Sequence, residues 1–160
     1  MRQVLRGAVL ACLAGALSAA APPRGDEKLT LSKEEQRLLD LTNQERARKK
    51  LPALKPNPVL FRVARAHSAN MAKQRKMAHV LDGKKPPQRV EAAGYRLGWV
   101  GENIAVSGDL EPDEVMKDWM GSKLHRENIL NPRYTEIGIG LAKNSKGEWY
   151  YTQVFARPRR

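Results

Sequence analysis

Apolar residues recur at helical spacing through the first two thirds of the chain and alternate residue by residue near its end. Ser32-Lys33-Glu34-Glu35 reads as a capping box, in which the serine hydroxyl and the glutamate carboxylate satisfy exposed backbone donors at a helix start. Leu38, Leu41 and Thr42 then line one face of a helix running to about Lys50, where Pro52 stops it. Asn57-Pro58 opens a second helix with a cap followed by a proline in the first turn. Its stripe of Leu60, Val63, Ala64, His67 and Met71 has the three- and four-residue spacing of a buried face. A shorter helix is expected from Pro86-Pro87 to near Gly94, and a fourth from near Pro112, carrying Val115, Met116 and Trp119. From Glu136 the period becomes two. Ile137, Ile139 and Leu141 alternate with Glu136, Gly138 and Gly140, Asn144 to Gly147 supplies a hairpin loop, and Trp149 to Phe155 is aromatic and β-branched. Gly101 to Val106 reads as a further strand. Helices first and strands later predict an α+β sandwich.

The N-terminal segment departs from both periods. Arg2 and Arg6 precede an apolar stretch from Gly7 to about Leu17, and small residues follow to Ala21 before Pro22. This is the order of a secretory signal, and the apolar stretch is too short to span a bilayer of about 30 Å as a helix. The expected organisation is a signal peptide at 1–21, cleaved near Ala19 to Ala21, a short tail at 22–31 and one domain at 32–158. The protein is then secreted or extracytoplasmic. Cys12, the single cysteine, leaves with the signal; the competing reading makes it the lipidated residue of a lipoprotein signal. With 160 residues, the chain is the size of one domain. One cysteine excludes both a disulfide framework and a four-thiolate zinc site.

Charge changes the picture next. The formal net charge is +12, from 29 basic and 17 acidic residues. Arg46 to Arg89 holds thirteen basic residues opposed only by Asp82, whereas residues 101–160 carry nine of each sign. A basic excess points to an anionic partner such as cell-wall polymer or an acidic membrane. Nucleic acid is disfavoured: the signal directs the protein outside, and Phe61 is the only aromatic residue in 46–89, too few for a stacking platform.

Standard catalytic templates are missing. The chain has no Gly-x-Ser-x-Gly elbow, no phosphate-binding Gly-rich loop and no His-Glu-x-x-His. His125-Arg126-Glu127 has the His-x-Glu start of a zinc deaminase but lacks the following Pro-Cys-x-x-Cys. The remaining candidates are three histidines and a few carboxylates. His67, on an apolar stripe, reads as a hydrogen-bonded core residue. His79 precedes the Asp82-Gly83 turn and is either a cleft residue or a solvated loop residue. Ser122 can cap a helical turn, with His125 at its start. Glu102 heads an otherwise apolar strand and must find a partner there, because an unpaired buried charge is costly; it either fixes a loop through backbone amides or serves a site.

At these residues the sequence resembles a known family. Gly101-Glu102-Asn103-Ile104-Ala105, the Trp119 helix, His125-Arg126-Glu127-Asn128-Ile129-Leu130 and Tyr134-Thr135-Glu136-Ile137-Gly138-Ile139-Gly140 resemble the CAP superfamily. That superfamily comprises the cysteine-rich secretory proteins, antigen 5 and the pathogenesis-related proteins, also called the SCP-like domain. The likeness is closest to its disulfide-free bacterial branch and runs from about Ser32 to Pro158. Leu39 to Arg48 resembles the opening helix and Thr152 to Ala156 the closing strand. The resemblance implies a three-layer α-β-α sandwich with a central, mainly antiparallel sheet. It also implies a cleft where His79, Glu102 and His125 converge, with Ser122 where eukaryotic members carry a second acid.

Two imidazoles plus Glu102 suit Zn2+ or another divalent metal with an open position, and Glu102 and His125 are the catalytic candidates if any reaction occurs. The favoured function is a secreted binding or scaffold domain whose cleft could take a divalent metal and a small-molecule, lipid or peptide ligand, with enzyme activity left open; lipid enters only by analogy with eukaryotic relatives. The alternatives are a metal-assisted, peptidase-like hydrolase and adhesion of the basic face to anionic cell wall or lipid.

Overall fold

The structure is a computed structural model and describes residues 29–160. The expected signal peptide, residues 22–28 of the expected tail and Cys12 lie outside the described residues. Helix α1 (Lys33–Arg48) begins at the expected capping box: Ser32 Oγ accepts the Glu35 N–H at 3.2 Å, and the Glu35 carboxylate accepts the Ser32 N–H at 2.9 Å. Its inward face carries Leu38, Leu39 and Thr42; Leu41 is only half-buried. A two-residue strand β1 (Lys55–Pro56) follows, too short to show in the hydrophobic pattern. Then come α2 (Pro58–Gln74), α3 (Pro86–Ala92), β2 (Leu97–Ser107), α4 (Pro112–Gly121), α5 (Lys123–Ile129), β3 (Glu136–Lys143) and β4 (Trp149–Pro158). Among the described residues, no helix is long and apolar enough to cross a membrane.

The sheet has the order β1-β3-β4-β2, antiparallel except for the β1–β3 pair. Alternation along the strands divides the molecule into three layers. On one face Ile104, Val154 and Ala156 meet α2 and α3; on the other Ile137, Ile139, Tyr151 and Phe155 meet α1, α4 and α5. Residues 150–156 of β4 are therefore buried throughout, because both of the strand's faces are covered. Leu29 and Leu31, assigned by sequence to a tail, pack against the same core.

Gly138 and Gly140 set the distance between α2 and the sheet. A Cβ at Gly138 would overlap the Leu60 carbonyl group, and one at Gly140 the backbone at Ala64 and Arg65. Only a glycine surface admits so close an approach of helix backbone to strand.

Three residues of the basic run are engaged by partners within the fold. Arg46 is 1% exposed and donates to four backbone carbonyls: those of Pro52, Ile129 and Asn131, each at 2.9 Å, and that of Tyr134 at 3.4 Å. Arg65 grips both Glu35 oxygens at 2.6 Å, and Arg89 binds Glu102. The basic surface is accordingly smaller than the sequence count suggests.

Gly138→Ala should lower the free energy of unfolding by about 1–3 kcal/mol, the usual cost of overfilling a packed contact. Urea denaturation measures it, and an unchanged midpoint and slope would contradict the close approach of α2.

Candidate functional site

Because neighbouring residues of a strand face opposite sides of a sheet, Glu102 and Asn103 of β2 address different layers. One meets the His79 side chain and the other the His125 backbone.

Glu102 points toward α2 and α3, its side chain 2% exposed. Its Oε1 accepts a hydrogen bond from His79 Nδ1 at 2.9 Å, and its Oε2 accepts from Arg89 Nη2 at 2.5 Å. His67 Nε2 lies 3.8 Å from Oε1. Of the two readings left open by sequence, the backbone-amide one is replaced: the partners are side chains. Arg89 does more than neutralise the carboxylate. Its Nη1 donates to the His79 carbonyl at 2.9 Å and to the Lys84 carbonyl at 2.8 Å, fastening both ends of the loop that carries His79. Asp82 and Gly83, with φ of 51° and 70°, form the turn in that loop.

His79 is half exposed, with its Nδ1–H directed at an acceptor-only carboxylate. That bond sets the neutral tautomer in which Nε2 keeps its lone pair. A carboxylate behind an imidazole is the usual way of orienting a metal-binding histidine.

Asn103, fully buried, points to the opposite layer. Its Nδ2 donates to the His125 carbonyl at 3.1 Å and to Gln153 Oε1 at 3.2 Å, while its Oδ1 accepts from Asn128 Nδ2 at 2.9 Å. Gln153 Nε2 donates to Thr42 Oγ1, and Thr42 Oγ1 to the Leu38 carbonyl, so a chain of buried side chains ties His125 back to α1. The outward carbonyls of β2 are capped by helices: Asn128 Nδ2 donates to Glu102 O and Trp119 Nε1 to Ile104 O, both at 3.2 Å. Gly101 completes the motif, since a Cβ there would overlap the Tyr134 hydroxyl and crowd Asn128 Oδ1.

Burial lowers the His125 pKa below the ordinary histidine value, and a charge on His79 lowers it further. His67 is also held below its ordinary value by burial, which outweighs the attraction of Glu102. It is 1% exposed, with Nε2 on the Ala78 carbonyl at 3.1 Å, as a core histidine should be. Ser122 is the N-cap residue of α5, but its hydroxyl makes no capping hydrogen bond there.

The structure therefore brings His79 and Glu102 into contact, while His125 is held through its backbone by Asn103 on the opposite layer. Sequence reasoning missed Arg89, Asn103 and Asn128 as the residues that hold these three. Asn103 left a trace, an amide inside an apolar strand beside a buried acid; Arg89 left none, since an arginine on a short helix usually faces water.

A metal centre that includes Glu102 as a ligand does not fit. Both of its oxygens are engaged, and the Arg89 cation stands against one of them. Among the described residues, no group of three or more His, Cys, Asp or Glu side chains is placed to hold a metal ion. The donors that remain are His79 Nε2 and the His125 imidazole.

Comparison with known proteins identifies the family and the fold. The model of the cysteine-rich secretory protein family, CAP, matches residues 39–155. The uncharacterized protein YkwD of Bacillus subtilis is 35% identical over 127 residues, 79% of this chain and 48% of that protein. The uncharacterized membrane protein YlbC of the same organism is 32% identical over 126 residues, 77% of this chain and 34% of that protein. This chain thus spans less than half the length of either relative. Among solved structures, an extracellular SCP-domain protein of Bacillus anthracis superposes with a TM-score of 0.71 at 27% identity, covering 81% of this chain and 45% of that one. An outer surface protein of Borrelia burgdorferi shares the fold, with a TM-score of 0.76 at 21% identity over 82% of this chain and 97% of that one. From the family match and the shared α-β-α architecture, this chain belongs to the cysteine-rich secretory protein (CAP) family, in its disulfide-free bacterial form.

Proposed function

We propose that this CAP domain is an extracytoplasmic binding module whose cleft captures ligands through His79 and His125, a divalent cation such as Zn2+ among them. The observation that carries this reading is the closed state of Glu102: its oxygens are held by His79 and Arg89, so the carboxylate orients an imidazole instead of attacking or deprotonating a substrate. His79 Nε2 and His125 would be the protein ligands of the ion. When bound, the ion would supply a Lewis-acidic attachment point for an oxygen- or nitrogen-bearing molecule. Neutral imidazoles are what a cation requires, and the depressed basicity of His125 keeps it neutral at pH 7.

The hydrolase alternative has less support, because its general base would have to be a carboxylate already committed to two partners. Adhesion through the basic face is weakened by the burial of Arg46 and by the pairing of Arg65 and Arg89 with carboxylates. Export is supported by the N-terminal pattern and by the likeness to the extracellular Bacillus anthracis protein and the outer surface protein of Borrelia burgdorferi.

Zn2+ at a hundredfold excess over its Kd should stabilise the domain by about 2.7 kcal/mol, read as a rise of several degrees in Tm. His79→Ala and His125→Ala should each remove most of that rise, while Glu102→Gln should reduce it through loss of the oriented tautomer. A wild-type Tm indifferent to Zn2+, or a rise that survives in the double histidine variant, would sink the metal reading. Without metal, His67 and His125 bind protons more readily in the unfolded chain than in the folded one. Their contribution to stability is therefore complete above the unfolded value of about 6.5 and is lost as the pH falls below it. Tm measured at pH 7.5 and pH 5 should be lower at pH 5, and the reverse order would contradict the depressed histidine values.

A further inference from the structure

Balanced charge along residues 101–160 hides a local concentration of one sign. The fold gathers Arg96, Arg133, Arg157, Arg159 and Arg160 at one end of the sheet, where β2 and β3 begin and β4 ends. There β2 holds an extra residue. Leu97 stands opposite Pro158 and Trp99 opposite Arg157, which leaves Gly98 as a bulge, and a Cβ at Gly98 would lie 3.0 Å from the Arg157 carbonyl oxygen. A bulge re-aims the side chains around it. Leu97 and Val100, three residues apart, thereby both pack toward α2 and α3, and Trp99 is turned to the opposite face.

Trp99 is 50% exposed, and Arg133 lies over its ring with Cζ 4.4 Å from the centroid. Arg157, as its cross-strand partner, shares that face. The Arg159 N–H donates to the Arg96 carbonyl at 2.8 Å, so these two residues adjoin. Among the described residues, none of the five arginine side chains forms an ion pair. Of the nearby acids, Glu136 is held by Asn57 and Tyr95, and Glu127 lies 4.0 Å from Lys123.

An indole left half in water among unpaired guanidinium groups suits a partner that offers both phosphate oxygens and an amphipathic layer. Guanidinium groups take phosphate oxygens bidentately, and tryptophan settles at the headgroup level of a bilayer, apolar body inward and N–H wet. Single-stranded nucleic acid is gripped by stacking successive bases on several aromatic rings, whereas Trp99 is the only aromatic among the exposed large hydrophobic residues described. One anchor is enough for a bilayer.

We propose that this end of the sheet docks on a bilayer containing anionic phospholipid, with Trp99 at the headgroup level and Arg96, Arg133, Arg157 and Arg159 on lipid phosphates. The surface uses none of the basic residues in 46–89, and its test involves neither His79 nor His125.

The test is co-sedimentation of the full chain with vesicles of phosphatidylcholine alone and of an equimolar mixture with phosphatidylglycerol. Any contribution of residues 1–28 is common to all variants. Binding should be tighter to the mixed vesicles and should weaken with salt. Arg157→Gln and Arg159→Gln should each lower it about fivefold, the effect of one cationic side chain near an anionic surface, and Trp99→Ala about tenfold. Lys73→Gln, an equal loss of charge beside the far end of β3, should leave it unchanged. Tryptophan emission should move to shorter wavelength on the mixed vesicles, and Trp99→Ala should remove that shift with circular dichroism unaltered. Equal binding to both kinds of vesicle, equal losses for Lys73→Gln and Arg159→Gln, or unchanged emission would overturn the proposal. Binding to soluble polyphosphate as tight as to the mixed vesicles, and undiminished in Trp99→Ala, would overturn it in favour of a free polyanion.

Discussion

A carboxylate buried near the middle of a strand constrains much of this molecule. The effective penalty for taking such an ion out of water is several kcal/mol, and removing one partner of a buried pair leaves an uncompensated charge. Glu102 is offset by Arg89 on one oxygen and His79 on the other. The position of α3, the closure of the loop from His79 to Lys84 and the tautomer of the cleft histidine all follow from meeting that one demand. Without Arg89 the carboxylate would lose its cation and the loop two of its hydrogen bonds at once.

The opposite layer solves a similar problem without charge. Asn103, Gln153 and Thr42 are fully buried polar groups, and they satisfy one another in series until the chain ends on a helix carbonyl. Fully satisfied networks of this kind specify a unique packing, whereas a partly satisfied one is costly. Arg46 works in the same way, gathering carbonyls from the α1–β1 connection and the α5–β3 connection around one planar group. The two histidines are thus held in register by two different kinds of interaction that meet back to back on adjacent residues of β2.

Much of this was legible in the sequence. The capping box at Ser32, the Asn57-Pro58 helix start, the alternation after Glu136 and the need of Glu102 for a partner each reflect local chemistry that a short window contains. The Gly-Glu-Asn motif and the order of the later segments identified the family and hence the three layers. What the sequence did not disclose was which cations find partners within the fold. Arg46, Arg65 and Arg89 look identical in composition to the solvated Lys49 or Lys73, and most of their partners lie 30 to 88 residues away or, for Arg89, on a neighbouring loop and strand. The strand β1 escaped for the opposite reason, being two residues held by pairing with β3 and not by any pattern of its own.

The glycines of β3 have a mechanical consequence. With α2 seated directly on Gly138 and Gly140, the helix has no room to slide or roll against the sheet, so His67 and the start of the His79 loop rest on a rigid jaw. The chain leaves regular structure at the left-handed residue Arg75 that ends α2 and at Ser122 ahead of His125, whose hydroxyl makes no capping bond. One side of the domain is therefore set by backbone contact alone, with no side chain between helix and strand to be repacked.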